Sequence, residues 1–99
     1  MIANQKITNW QKRTGTDRHG QPTRTGQDGW WWCAAEPKTV KLKIGDREVV
    51  STRRAHVRIT PGFQVGDTIM LLNRTWEIVE VQPALHGTLG HAMLMLTAV

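Results

Sequence analysis

Apolar and polar residues alternate along much of this chain. The segment KTVKLKI, residues 38–44, places Val, Leu and Ile at every second position, separated by Lys41 and Lys43. This period of two predicts a half-buried strand with a basic outer face. The pair Gly45-Asp46 follows, and a pair that begins with glycine suits a type II′ turn. The chain is therefore expected to return along REVVS and to complete a hairpin over residues 38–51.

Similar patterns predict strands before and after this hairpin. Two early segments are expected to pair with each other, and four later segments continue the scheme: KITNWQKR (6–13), WWWCAA (30–35), RAHVRI (54–59), TIMLL (68–72), TWEIVEV (75–81) and AMLMLTAV (92–99). The last is apolar throughout, which is typical of a central strand buried on both sides. Asn73-Arg74 is expected to reverse the chain, and Pro83 to end the strand before it. Six to eight short strands predict an all-β fold, a single small barrel or sandwich formed by residues 1–99 as one domain.

Residues 13–29, RTGTDRHGQPTRTGQDG, form an extended polar loop in this prediction because they include no Val, Ile, Leu, Met, Phe, Trp, Tyr, Ala or Cys. Long loops without structure are uncommon in small domains and are usually functional. Asp17-Arg18-His19-Gly20 is a turn sequence, and Pro22 is expected to prevent further strand pairing. We therefore expect a long N-terminal hairpin arm that projects from the domain and contacts another molecule.

The tryptophans divide between the core and the surface. Trp10 and Trp76 are assigned to the core. Neighbouring side chains on a strand point to opposite faces, so either Trp30 and Trp32 are buried and Trp31 is exposed, or the reverse. An exposed tryptophan beside the arm is expected to anchor a protein–protein contact, since tryptophan is enriched at the energetic centres of interfaces. Trp31 is the residue predicted for that contact.

Charge is distributed unevenly along the chain. Residues 1–58 contain twelve Lys and Arg against five Asp and Glu, whereas residues 59–99 contain one against three. The first part thus has a balance of +7 and the second of −2, which together give the formal net charge of +5. Such asymmetry suggests contact with nucleic acid or with an acidic protein surface.

Recognisable catalytic and metal-binding patterns are missing from the sequence. The single cysteine, Cys33, excludes an internal disulfide and is interpreted as a small buried apolar residue. His86 and His91 lie in a glycine-rich loop without the further ligands that a zinc site needs. No phosphate-binding loop or nucleophile motif is present, so neither a cofactor nor enzymatic activity is expected. The absence of a signal peptide or a membrane-spanning segment indicates assembly in the cytoplasm.

The order of several short motifs resembles a known family. RTGTDRHGQPT is followed by a Trp-containing strand, the hairpin GDREVVSTRRAHVRI, a VGD turn, and PALHG before a final apolar strand. Over about residues 7–96 this resembles the small head-completion, or head–tail joining (stopper), proteins of tailed bacteriophages. The resemblance implies a structural virion protein that forms a hexameric ring below the portal and adaptor proteins. Such a ring closes the DNA exit channel, lies close to packaged DNA without reading its sequence, and presents a docking surface to the tail or tail-terminator protein.

Two sets of residues are candidates for these contacts. The arm is expected to contact neighbouring subunits or partners through Thr14, Thr16, Asp17, Arg18, His19, Gln21, Arg24 and Trp31. The shorter hairpin is expected to face the channel and its DNA through Lys41, Lys43, Asp46 and Arg47. Either hairpin could supply the loop that gates the DNA channel. The shorter hairpin is favoured by its reach and by the exposed face that Lys41 and Lys43 form. The alternative function is a small basic β-barrel that binds nucleic acid.

Overall fold

The computed structural model describes residues 5–57, 62–83 and 92–99. These residues form seven β-strands and no helix, which confirms the all-β prediction. All strand pairs are antiparallel. The strands are β1 (Gln5–Thr16), β2 (Pro22–Gly26), β3 (Trp31–Ile44), β4 (Arg47–Val57), β5 (Thr68–Leu71), β6 (Arg74–Pro83) and β7 (Ala92–Ala98).

The strands close into a small barrel. Their order is β2-β1-β3-β4-β7-β6-β5, and a further pairing between β1 and β5 joins the two sides of the sheet. Gln11 of β1 pairs with Gly26 of β2 and also with Thr68 of β5, so β2 and β5 flank β1 on opposite edges. Six strands therefore form the closed barrel, while β2 lies outside that circuit as the second strand of the arm.

The barrel interior contains the residues that alternation places inward. Trp10 and Trp76 are 5% and 3% exposed, which confirms their assignment to the core. Strand β7 pairs with β4 on one edge and β6 on the other, as expected for a central strand. Its run of buried residues reflects that position. The largest fully buried apolar side chains are Ile7, Ile69, Leu71, Ile78, Leu94 and Leu96.

Cys33 is fully buried, as the sequence predicts, and burial raises the pKa of its thiol from 9.0 to about 11. The thiolate is the reactive form of cysteine. We therefore expect a thiol reagent at pH 8 to modify Cys33 at least about 100-fold more slowly in the folded than in the urea-unfolded protein. Absorbance of the released chromophore measures both rates, and similar rates would show that the β3 region opens freely.

The polar stretch forms more regular structure than the sequence predicts. β1 continues to Thr16. β2 pairs with it from the end of the arm, where Pro22 lies opposite Thr16, to its base, where Gly26 lies opposite Gln11. Residues 13–29 are thus mostly a paired hairpin, and the prediction that Pro22 prevents pairing is wrong. Proline is compatible with this position because Pro22 is the first residue of β2, and β2 pairs with no described strand other than β1.

The second hairpin, β3–β4, also extends beyond the barrel. Pairing of β4 with β7 stops at Arg53–Leu96, whereas β3 and β4 stay paired to Ile44–Arg47. At the exit point an extra residue enters β3 between Pro37 and Val40, a bulge that bends the strand. Gly45 has a φ of 59°, which a primed hairpin turn requires at its first position. The predicted 38–51 hairpin is confirmed.

The turn between β5 and β6 lies one residue earlier than the sequence predicts. Leu71 pairs with Arg74, so Leu72 and Asn73, rather than Asn73 and Arg74, form the two-residue loop. Both have positive φ, 55° and 59°, as a type I′ turn requires. Leucine is unfavourable in this conformation because its Cβ approaches the following carbonyl oxygen. The sequence misled here because no glycine marks the turn.

Replacing Leu72-Asn73 with Asn-Gly is expected to stabilise the protein by about 1 kcal/mol, since both new residues tolerate positive φ. Urea unfolding followed by tryptophan fluorescence measures the change. Leu72→Ala is the matched control. It removes the same exposed side chain but keeps a residue for which the positive φ is unfavourable, so it should change the free energy of unfolding little. Equal stabilisation by both variants would assign the effect to the apolar surface instead.

Candidate functional site

The arm ends in a turn that its own aspartate organises. Asp17 Oδ1 accepts hydrogen bonds from the backbone N–H groups of His19 and Gln21, at 2.8 and 2.9 Å. The backbone closes the same turn, because Asp17 N–H donates to the Gln21 carbonyl at 2.8 Å. Thr14, Thr16, Arg18 and the other predicted tip residues are exposed. Asp17 therefore shapes the tip, while its neighbours are available for contact.

The base of the arm is fixed by a buried carboxylate in the VGD turn, a role that the sequence does not predict. Asp67, in the VGD turn, is 1% exposed. Its side chain accepts three hydrogen bonds, from Trp10 Nε1 at 2.9 Å, Arg13 N–H at 2.9 Å and Gln64 N–H at 3.0 Å. Two of these donors belong to β1 and one to the turn itself. Asp67 thus joins the arm, the core and the β5 turn.

A left-handed backbone conformation explains the glycine of the same motif. Gly66 has a φ of 96°, and a Cβ there would lie 2.7 Å from Arg13 Cδ. A side chain at this position would therefore be strained by the backbone conformation and would displace the end of the Arg13 side chain. Gly66 N–H also donates to the Ile78 carbonyl at 2.9 Å, which fixes the turn against β6.

Arg24 belongs to this base and not to the free surface that the sequence predicts. Its Nε donates to the Gly66 carbonyl at 3.1 Å, and Nη2 lies 3.7 Å from Glu77 Oε1. The side chain is only 24% exposed. A partner would have to displace two existing interactions to reach it. The exposed cations at the start and tip of the arm are instead Arg13 and Arg18.

Trp31 faces inward, so its prediction as the exposed anchor is wrong. Its ring packs edge-to-face against Trp10 at 5.5 Å and Phe63 at 5.4 Å, measured between ring centroids. The other alternative therefore holds: Trp30 and Trp32 are 51% and 50% exposed. Alternation alone could not decide between the two alternatives, because each of them places at least one of the three tryptophans in the core.

The two exposed indoles and one lysine form a compact surface feature, here called the aromatic patch (Lys6, Trp30 and Trp32). The Trp30 and Trp32 rings are 5.3 Å apart in an edge-to-face arrangement. Lys6 Nζ lies 4.5 Å from the Trp30 centroid and 5.4 Å from that of Trp32. Met70 is 37% exposed and lies beside the patch. It pairs with Thr8, which is on the same face of β1 as Lys6. The patch has the composition of a protein–protein contact surface.

The β3–β4 hairpin has the basic surface that its alternation predicts. Lys41, Lys43, Asp46 and Arg47 are all exposed. Lys41 Nζ lies 3.8 Å from Glu48 Oε1, an ion pair between two well-exposed side chains that holds neither firmly. These cations can therefore reorient toward an external anion.

A charged cluster lies on the outward-facing side of β3 and β4, in the part of these strands that belongs to the barrel. Arg54 forms an ion pair with Glu36, and its Nε donates to Glu36 Oε1 at 2.7 Å. This hydrogen bond lowers the pKa of Glu36. His56 Nε2 lies 3.7 Å from the same oxygen. Within the described residues, no group of three histidine, cysteine or acidic side chains could hold a metal ion, and His86 and His91 lie outside them.

Comparisons with known proteins identify a related fold. No protein-family model matches the sequence, and no curated protein does. A solved structure, the phage-like element PBSX protein xkdH from Bacillus subtilis, is similar with a TM-score of 0.56 at 13% sequence identity. The match covers 99% of this chain and 96% of that chain. At this identity the similarity shows a shared fold over nearly the full length of both proteins. The described residues contain no helix able to cross a membrane.

Proposed function

We propose that this chain is a structural protein of a phage or phage-like particle and that it lies in the neck, between head and tail. Copies form a hexameric ring below the portal and adaptor proteins, close the DNA exit channel after packaging, and bind the tail or tail-terminator protein. The observation that carries the proposal is the nearly end-to-end fold match to a protein of a phage-like element. The motif order, which resembles head–tail joining proteins, supports the more specific position.

The geometry supplies two projections that suit such a role. The arm and the β3–β4 hairpin both extend from the barrel, and the molecule measures 42 × 30 × 27 Å along its principal axes. The arm tip presents polar side chains on a turn fixed by Asp17, which suits contact with a neighbouring protein. The hairpin presents Lys41, Lys43 and Arg47 to solvent, which suits a surface close to DNA phosphates.

Electron microscopy of particles made without this gene tests the proposal. The expected result is separate tails beside tailless heads that have lost their DNA, because both closure and joining require the ring. Restoring the gene in trans should restore joined particles, which controls for effects on neighbouring genes. Complete, tailed and DNA-filled particles would exclude the neck role.

A nucleic-acid-binding module is the second candidate, and the exposed cations of the β3–β4 hairpin favour it. It predicts measurable affinity of the isolated protein for DNA or RNA, which falls steeply between low and moderate salt. Fluorescence anisotropy with labelled single-stranded and duplex oligonucleotides measures this directly. The neck role instead requires only proximity to DNA within an assembled ring, so the isolated chain should bind weakly.

A further inference from the structure

The aromatic patch is costly to leave in water. Trp30 and Trp32 each expose about half of their surface, and they lie side by side. Tryptophan is enriched at the energetic centres of interfaces, where a partner excludes water. Lys6 contributes a positive charge at the centre of the patch, held against the faces of both rings. A partner surface should therefore combine an apolar recess with an acidic group.

The same chain presents a surface with those two properties. A groove of about 210 Å³ lies between the β3–β4 hairpin and β6, lined by Leu42, Lys43, Val79 and Glu80. This exceeds the roughly 150 Å³ of an engineered apolar cavity that takes up benzene. Leu42 and Val79 give it apolar walls. Because it is an open groove with two apolar and two charged lining residues, it can receive the edge of an indole ring beside an ammonium group.

Glu80 supplies the acidic group. Its Oε1 accepts a hydrogen bond from Gln82 Nε2 at 3.1 Å, but Oε2 is buried without a partner among the described residues. A buried carboxylate oxygen without a donor is unfavourable, and a cation beside the carboxylate offsets part of that cost. Lys43, the other charged residue of the groove, is exposed and can swing aside.

The patch and the groove lie on different sides of the molecule. The patch is formed by β1 and the start of β3, whereas the groove lies on β6 and the far end of the β3–β4 hairpin. Around the barrel, β5 separates β1 from β6, and β3 lies three strands away from β6 in either direction. The two surfaces are thus placed to join different copies of the chain.

We propose that the aromatic patch of one copy docks into the β6 groove of the next copy, with Lys6 against Glu80. The indoles pack over Leu42 and the exposed edge of Val79, and the Lys6 ammonium group forms an ion pair with the Glu80 carboxylate. Because two different surfaces meet, the contact is head-to-tail, and its repetition gives a ring or an open filament. This inference rests on the proposed ring and names its subunit interface.

Cysteine cross-linking tests the pairing with the full-length protein. Lys6→Cys and Glu80→Cys are purified separately and mixed under mild oxidation, and Cys33 does not interfere because it is buried. The mixture should form a disulfide-linked dimer that neither variant forms alone. Lys43→Cys is a second groove variant should Glu80→Cys fail to fold. Leu72→Cys, exposed in the β5–β6 turn at the opposite end of β6 from Glu80, is the control that should not cross-link to Lys6→Cys.

Each outcome decides the proposal. A dimer formed by Lys6→Cys alone would show that two patches dock face-to-face, and no dimer with either groove variant would exclude the interface. Charge reversal provides an independent readout: Lys6→Glu should weaken self-association at least about tenfold, and adding Glu80→Lys should restore it. The neck role is scored separately by particle morphology, so joined particles that depend on the gene but lack the Lys6–Glu80 cross-link would overturn only the interface.

Discussion

Replacement of Asp67 with alanine is expected to destabilise the protein by about 3–5 kcal/mol. The carboxylate accepts hydrogen bonds from Trp10 Nε1 and from the backbone N–H groups of Arg13 and Gln64, and it is almost fully buried. Alanine leaves the buried indole N–H of Trp10 and two partly buried backbone N–H groups without this acceptor. Loss of a buried hydrogen-bond partner costs about 1–3 kcal/mol, and the partly buried donors add less because water can reach them. Small domains have a total stability of about 5–15 kcal/mol, so the variant should be partly unfolded at 37 °C.

Urea unfolding at 25 °C, followed by tryptophan fluorescence, measures this effect. Asp46→Ala is the matched control, since it removes an exposed aspartate from another turn and should change stability by less than about 0.5 kcal/mol. Asp67→Asn should fall between the two because it keeps one acceptor oxygen. A cost for Asp67→Ala as small as that of the control would show that the arm and the VGD turn are held by other contacts.

Shortening the arm is expected to abolish head–tail joining without unfolding the barrel. Gly15 pairs with Thr23, so replacing residues 16–22 with Asn-Gly closes the hairpin as a two-residue loop. The change removes Asp17, Arg18, His19 and Gln21, but it retains the anchoring contacts of Arg13 and Arg24. Among the described residues, the hydrogen bonds of the removed segment lie within the arm itself, so the free energy of unfolding should change by less than about 1 kcal/mol.

Particles assembled with the shortened protein provide the measurement. Electron microscopy should show unjoined heads and tails, while circular dichroism and urea unfolding of the purified variant show an intact fold. The Asn-Gly replacement at Leu72-Asn73 is the control, because it introduces the same turn sequence elsewhere and should leave joining intact. Normal joining with the shortened arm would show that the arm makes no essential contact.

Alternation and turn residues were sufficient to predict most of the fold. The β3–β4 hairpin was predictable because Lys41 and Lys43 alternate with apolar residues and Gly45 marks the reversal. The β5–β6 turn was predicted one residue too late, because Leu72 adopts a left-handed backbone conformation that is unfavourable for leucine. The pairing register of β5 and β6 imposes this conformation. Pro22 was misjudged for a related reason: its missing N–H matters little at the first residue of an outer strand.

The contact residues were only partly predictable. Local chemistry was enough to place Arg18 and His19 at an exposed tip. Arg24 looked equivalent in sequence but is held by Glu77, which lies in a strand far away along the chain. Nothing local distinguishes Asp67 from any aspartate after a glycine, because its partners Trp10 and Arg13 come from the other end of the sequence.

The sequence by itself determined the all-β class, the two hairpins and the assignment of Trp10, Trp76 and Cys33 to the core, since these follow from period and turn chemistry within short segments. Tertiary structure decided the closure of the barrel through β1–β5, the burial of Asp67 and the exposure of Trp30 and Trp32 in place of Trp31. The physical reason is that alternation fixes which residues share a face of a strand. Only pairing with distant strands decides which face is inside.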